Sequence, residues 1–161
     1  MIKAPNGWKE IQEFYGWSPD YLADLSKWEA GMIVVPPPEG YRFTYDDQPA
    51  RGLRVHRKIA DELAACLALV RDAGLWPFVS AIGGGYNFRK QRGSSKISMH
   101  ALGAAVDFDP HRNALGEDPA NTALGTEPGA GVVRIFQARG WTWGGDWGRP
   151  DSMHVQFGGG F

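Results

Sequence analysis

The chain has 161 residues, 43% of them hydrophobic, so length and composition predict one globular domain with a sizeable core. Its 17 basic and 18 acidic side chains give a formal net charge of −1. This balance gives no sign of the clustered basic face that nucleic-acid binding needs, and it argues against a polybasic membrane contact. No stretch approaches the roughly 18 apolar residues of a membrane span, so we expect no membrane insertion.

Residues 1–52 are predicted to be an N-terminal extension packed on the core, and residues 53–161 to be the main domain. Weak helical spacing in residues 1–30 is followed by Pro36-Pro37-Pro38, which imposes an extended segment. A small element that recognises substrate or cell wall is the alternative for this extension. Its first residues lack the apolar core of a signal peptide, so we expect synthesis in the cytoplasm without one.

The longest predicted helix runs from about Leu53 to Gly74, with one apolar stripe and a glycine at its C-terminal end. Cys66 lies among apolar residues of this helix and is predicted to be a small buried hydrophobe. A strand is predicted over residues 78–82, followed by three glycines that permit a sharp turn or a close approach to a ligand.

The second half of the chain predicts short elements around a long loop. We expect strands at residues 104–108, 141–143 and 153–157, a helix over residues 132–139, and a loop at residues 110–130. The irregular alternation of helices and strands predicts an α+β fold, a small single domain with a mainly antiparallel sheet flanked by helices.

Two separated segments carry residues suited to a metal. His100 and Asp107 offer an imidazole nitrogen and a carboxylate oxygen, and Gly103 permits a bend between them. His154 lies in a later strand-like run, and Asp151 precedes it by three residues. From residue types alone, a lone histidine is more often a core or surface residue, so spacing leaves both interpretations open.

If His100, Asp107 and His154 all bind, the site has three protein ligands and an open fourth position, which is typical of catalytic zinc. Asp151 is then placed to take a proton from the attacking water and to pass it to the leaving amine. A cation for the developing oxyanion is predicted at Arg89 or, as a second choice, Arg92.

These motifs resemble the M15 group of zinc D-Ala-D-Ala carboxypeptidases and endopeptidases, which includes phage endolysins. Ser98-x-His100-x-x-Gly103-x-Ala105-x-Asp107 fills the first motif and Asp151-x-x-His154 fills the second. The runs at residues 86–94 and 143–147 are also similar to the carboxypeptidase-like branch. The resemblance covers residues 53–157, and nothing in the first 50 residues matches.

The resemblance implies a Hedgehog/DD-peptidase-like fold, one zinc ion held by His100, Asp107 and His154, and Asp151 as the catalytic acid and base. It also implies a peptidoglycan stem peptide as the substrate, so we expect action at the cell wall, in the periplasm or outside the cell. We expect a monomer that reaches its substrate with the catalytic domain alone. Ser98, Tyr86 and Trp147 are the predicted substrate contacts, although Ser98 could equally shape the turn before His100.

Two other functions compete with a peptidase. A non-catalytic, zinc-containing module of the same fold would bind cell wall or peptide, and the presence of Asp151 argues against it. A structural role in a phage particle or wall complex would use zinc to stabilise the fold, and would need a fourth protein ligand that the sequence does not offer at good spacing.

Overall fold

The computed structural model describes residues 1–89 and 96–160. Within these residues the strands form three antiparallel sheets, of which the largest has the order β5-β6-β8-β7. The other two sheets are the pairs β1-β4 and β2-β3. The predicted α+β class with mainly antiparallel sheets is confirmed. The helices are α1 (Trp8–Tyr15), α2 (Leu25–Glu29), α3 (Arg57–Asp72) and α4 (Ala130–Ala138), and the strands are β1 (Met32–Val35), β2 (Phe43–Tyr45), β3 (Gln48–Ala50), β4 (Leu53–His56), β5 (Ile82–Gly84), β6 (Ala105–Phe108), β7 (Thr142–Trp143) and β8 (His154–Gln156).

The predicted helix at Leu53 begins four residues later than expected. Residues 53–56 form β4, which pairs with β1, and α3 starts only at Arg57. His56 ends the strand and caps the helix, because its Nδ1 accepts a hydrogen bond from the backbone N–H of Lys58 at 3.2 Å. The apolar residues of β4 are therefore buried by strand pairing, a long-range contact that helical periodicity cannot detect.

The predicted strand at residues 78–82 is also shifted. Pro77 lies in a 3-10 helix at Trp76–Phe78, and β5 begins only at Ile82. The three glycines that follow do allow a close approach, but to backbone. A Cβ at Gly85 would lie 2.3 Å from the carbonyl oxygen of Arg54, so only glycine fits where β5 ends beside β4.

Residues 1–52 contact the second half of the chain through buried hydrogen bonds. The indole N–H of Trp28 donates to the carbonyl of Ala101 at 2.9 Å, and the Tyr15 hydroxyl donates to the carbonyl of Phe157 at 2.6 Å. Ala101 follows His100 directly. The N-terminal helices therefore support the turn that carries one of the candidate metal ligands.

Cys66 is fully buried on the inner face of α3. Burial raises the pKa of its thiol to about 12, so the sulfur stays protonated at neutral pH. Among the described residues, no helix is long and apolar enough to span a bilayer.

His56 predicts how stability depends on pH. Burial, followed by the charges of Arg57 and Lys58, lowers the pKa of His56 from 6.5 to about 4. Between these two values the unfolded chain binds a proton that the folded chain does not, so folding stability falls as pH drops from 6.5 towards 4. We expect the metal-free protein to lose about 2 to 3 kcal/mol more over this range than His56→Asn, which keeps a capping acceptor.

Urea denaturation at several pH values measures this difference. His111→Asn, in an exposed loop, is the control and should keep the wild-type slope. Equal slopes for wild type and His56→Asn would contradict the prediction.

Candidate metal centre and active-site cleft

Pairing of β6 with β8 brings two candidate ligands together. The antiparallel register sets Asp107 directly opposite His154. Side chains of directly opposed residues project from the same face, with Cβ atoms about 5 Å apart. The sheet therefore joins the first motif to the second across 47 positions of sequence.

His100 reaches the same place from a tight turn before β6. Gly103 closes this turn with φ +67°, and its N–H donates to the carbonyl of His100 at 3.0 Å. A Cβ at Gly103 would lie 2.5 Å from the sulfur of Met32 and 2.6 Å from the backbone nitrogen of His56. Glycine is therefore needed both for the backbone conformation and for packing against β4.

One donor atom from each of His100, Asp107 and His154 lies within 4.8 Å of the other two. His100 Nε2 is 3.3 Å from Asp107 Oδ2, and His154 Nδ1 is 3.1 Å from Asp107 Oδ1. The three side chains are only 6%, 16% and 7% exposed. The structure thus brings all three predicted ligands into one nearly buried group.

The hydrogen bonds around His100 suit a metal ligand. Its Nδ1 lies 2.8 Å from the carbonyl of Gly85, which can only accept, so Nδ1 carries the hydrogen. Nε2 then has a free lone pair, and this buried atom has no hydrogen-bond partner among the described residues. A buried nitrogen without a partner is costly. A cation beside Asp107 would satisfy it, so these residues fit a zinc ion.

The pKa values of two carboxylates in the cleft are shifted in opposite directions. Burial disfavours the charged form of Asp107, but the imidazoles of His100 and His154 hold the pKa of its carboxyl well below the usual range. Burial raises the pKa of Asp151, whose Oδ1 is buried without a hydrogen-bond partner in the described part of the chain. Asp107 is thus suited to remain an ionised ligand, and Asp151 to exchange a proton.

A cleft of about 500 Å³ opens over the three ligands and Asp151. Trp147 lines it, 39% exposed, with its ring centroid 5.1 Å from that of His154. Arg89 and Arg149 also line it, and neither guanidinium forms an ion pair with any described carboxylate within 4.0 Å. The cleft is therefore open to solvent, and two cationic groups line it together with the carboxylates of Asp107 and Asp151.

The other predicted site residues are distributed unevenly. Ser98 lines the cleft, where its hydroxyl accepts a hydrogen bond from the Ala101 N–H at 3.2 Å and so shapes the turn. Tyr86 lies away from the cleft lining, with its hydroxyl 3.3 Å from Glu29 and its ring under Arg54. Its substrate contact remains a prediction. Arg92 lies outside the described residues.

Among the polar residues that line the cleft, sequence reasoning missed Arg149 and Gln156. Gln156 had a detectable signal: it is two positions after His154 in a strand, so the two side chains share a face. Its Oε1 lies 2.9 Å from His154 Nε2. Arg149 lies in the loop before Asp151 and belongs to no local pattern that marks function.

Comparison with known proteins identifies one family. A peptidase M15 family model, described as D-alanyl-D-alanine carboxypeptidase, matches residues 92–157, a little under half of the chain. Neither the curated proteins nor the solved structures gave a significant match. The matched segment contains all three candidate ligands and Asp151, and it confirms the resemblance that the two motifs predict. Over residues 92–157 the chain is thus similar to the M15-type D-alanyl-D-alanine carboxypeptidase family.

Proposed function

We propose that this protein is a zinc-dependent peptidase that hydrolyses peptide bonds in the stem peptides or cross-links of bacterial peptidoglycan. The observation that carries the proposal is the convergence of His100, Asp107 and His154 beside the Asp151 carboxylate, in one open cleft. The buried Oδ1 of that carboxylate has no hydrogen-bond partner among the described residues. The family match supports a peptidase, and its description names a bond found in peptidoglycan. Within this class, a phage-type endolysin or a D-Ala-D-Ala carboxypeptidase fits the site.

Each group has a role in hydrolysis. When bound, zinc supplies Lewis acidity towards the scissile carbonyl and the attacking water. Asp151 accepts a proton as the water oxygen attacks the carbonyl carbon, and donates it to the amide nitrogen as the C–N bond breaks. Arg89 lines the cleft and its charge acts on Asp151, so it is our first choice to stabilise the oxyanion, with Arg92 as the second.

The rest of the chain has supporting roles in this proposal. Residues 53–161 form the peptidase domain, and residues 1–52 are an extension packed on it through contacts such as Trp28 to Ala101. The protein acts as a monomer on the cell wall, in the periplasm or outside the cell. Ser98, Tyr86 and Trp147 contact substrate.

Zinc binding is the first test. The purified metal-free protein should bind one equivalent of zinc, measured by competition with a chromophoric chelator. Removing a ligand with His100→Ala, Asp107→Ala or His154→Ala should weaken zinc binding by more than about 100-fold, because loss of even an outer partner costs about 10- to 100-fold. His111→Ala, an exposed histidine away from the cleft, should bind as wild type. Unchanged affinity in all three ligand variants would contradict the site.

Asp151 separates an enzyme from a zinc-containing binding module. We expect Asp151→Asn to lower kcat by about 100- to 10,000-fold, the usual contribution of a general acid or base, while zinc affinity stays within a few-fold. Release of peptide or D-alanine from purified peptidoglycan, with and without a chelator, measures this. The matched control is Asp146→Asn, which replaces an exposed carboxylate that accepts a hydrogen bond from Gln137. Full activity in Asp151→Asn, or activity that survives zinc removal, would refute the mechanism.

Substitution of Arg149 tests whether the cleft binds a carboxylate of the substrate. Peptidoglycan stem peptides carry free carboxylates, and the Arg149 guanidinium at the cleft, which pairs with no carboxylate in the described ranges, can bind one. We expect Arg149→Ala to raise KM for an acidic stem peptide by about 5- to 30-fold, from the loss of roughly 1 to 2 kcal/mol, and to change KM little for the same peptide amidated at its carboxylates. Arg51→Ala removes an exposed arginine outside the cleft and should leave both constants unchanged. An equal effect on both peptides would contradict this role.

A further inference from the structure

We infer that Gln156 is a positioning residue that fixes which ring nitrogen His154 presents to the metal, so that His154 binds through Nδ1 whereas His100 binds through Nε2. The inference rests on the metal site of the proposed function. It concerns a residue outside the two motifs, and it starts from a difference between the two histidines. Asp107 faces Nε2 of His100 but Nδ1 of His154.

The orientation of the Gln156 amide is fixed by a hydrogen bond to the backbone of Gly158, on the side away from His154. Its Nε2 donates to the carbonyl of Gly158 at 2.8 Å, so the amide oxygen must be the atom that faces His154. The chain just beyond Gly158 is anchored by backbone bonds from Gly159 to Pro5 and from Gly7 to Gly159, at 3.1 and 2.7 Å. The amide therefore cannot flip without leaving two buried polar groups unpaired.

This orientation determines the state of the His154 ring. The amide oxygen only accepts, so His154 Nε2, at 2.9 Å, must carry the hydrogen. A neutral imidazole has one N–H, which leaves a lone pair on Nδ1, pointing at Asp107 Oδ1 over 3.1 Å. Two acceptors at this distance repel each other unless a hydrogen or a metal cation lies between them. Gln156 thereby directs the lone pair of His154 to the site where Asp107 and His100 Nε2 converge.

The neutral amide also suits the charge of the site. Gln156 is 5% exposed, so little water competes for its bond to His154. A carboxylate in its place would orient the ring equally well, but it would add a negative charge and would face the Gly158 carbonyl without a hydrogen to donate. An amide orients His154 while keeping the residual positive charge that a bound divalent cation needs in order to act as a Lewis acid.

Imidazole nitrogen NMR of the wild-type protein with zinc tests the inference directly. We expect the His154 signals to show metal at Nδ1 and a slowly exchanging hydrogen on Nε2, and the His100 signals to show the reverse. His154 bound through Nε2 would overturn the inference, since Gln156 could then accept no hydrogen from it. Assignment comes from the spectra of His100→Ala and His154→Ala.

Substitution supplies the second readout. Gln156→Met keeps the length of the side chain and removes the acceptor, so zinc affinity should fall by about 10- to 100-fold and the Nε2 hydrogen of His154 should exchange faster. Gln137→Met removes an exposed glutamine that donates to Asp146, and it should change neither quantity. Unchanged affinity and exchange in folded Gln156→Met would refute the role. If that variant fails to fold, the wild-type spectrum still decides.

Failure of this inference can be distinguished from failure of the proposed function. If the wild-type protein binds no zinc, the proposed peptidase mechanism fails. The metal-free spectrum, recorded at a pH where imidazole is neutral, then still reports which nitrogen of His154 carries the hydrogen. Hydrogen on Nε2 would support the role of Gln156 in orienting the ring, and hydrogen on Nδ1 would overturn it.

Discussion

The candidate site depends on the register of one strand pair. Antiparallel pairing of β6 with β8 sets Asp107 opposite His154, and a slip of one residue would turn the two side chains to opposite faces of the sheet. On the other face of β8, Val155 packs in the core and pairs with Val106. The hydrophobic effect that buries these valines therefore also fixes the distance between a carboxylate and an imidazole, and the remaining groups of the cleft are arranged around that pair.

Much of the site could be predicted because its residues lie in short motifs with a fixed order. The spacing from His100 to Asp107 includes the glycine that the turn requires, and Asp151 precedes His154 at the entrance of β8. What the sequence concealed depends on long-range contacts. The start of α3 was misplaced because pairing with β1 converts its first predicted turn into a strand. Arg149 reaches the cleft from a loop whose path is set by tertiary packing, which no periodicity reveals.

The two carboxylates show how environment assigns different roles to one chemical group. Asp107 is flanked by two imidazoles whose interactions outweigh the cost of burial, so its charged form is favoured. Asp151 is partly buried, its Oδ1 has no hydrogen-bond partner within residues 1–89 and 96–160, and burial is the largest influence on its pKa. A metal ligand must keep its negative charge, whereas a general acid and base must be able to gain and lose a proton near neutral pH. Exchanging the two positions would weaken both functions, although the side chains are identical.

Residues 92–157, which match the family model, contain the candidate ligands, but several residues that hold those ligands in place precede this segment in the chain. The indole N–H of Trp28 donates to the carbonyl of Ala101, next to His100, and the carbonyl of Gly85 accepts a hydrogen bond from the His100 ring. The backbone of residues 5–7 forms hydrogen bonds with Gly159, next to Gly158, which orients the Gln156 amide. Metal sites need outer partners to hold each ligand in one orientation. In this chain those partners are spread over the N-terminal helices and the end of β5. The ligand motifs alone therefore specify which residues would bind a metal. The exact positions of the ligand atoms depend on residues that the motifs do not include.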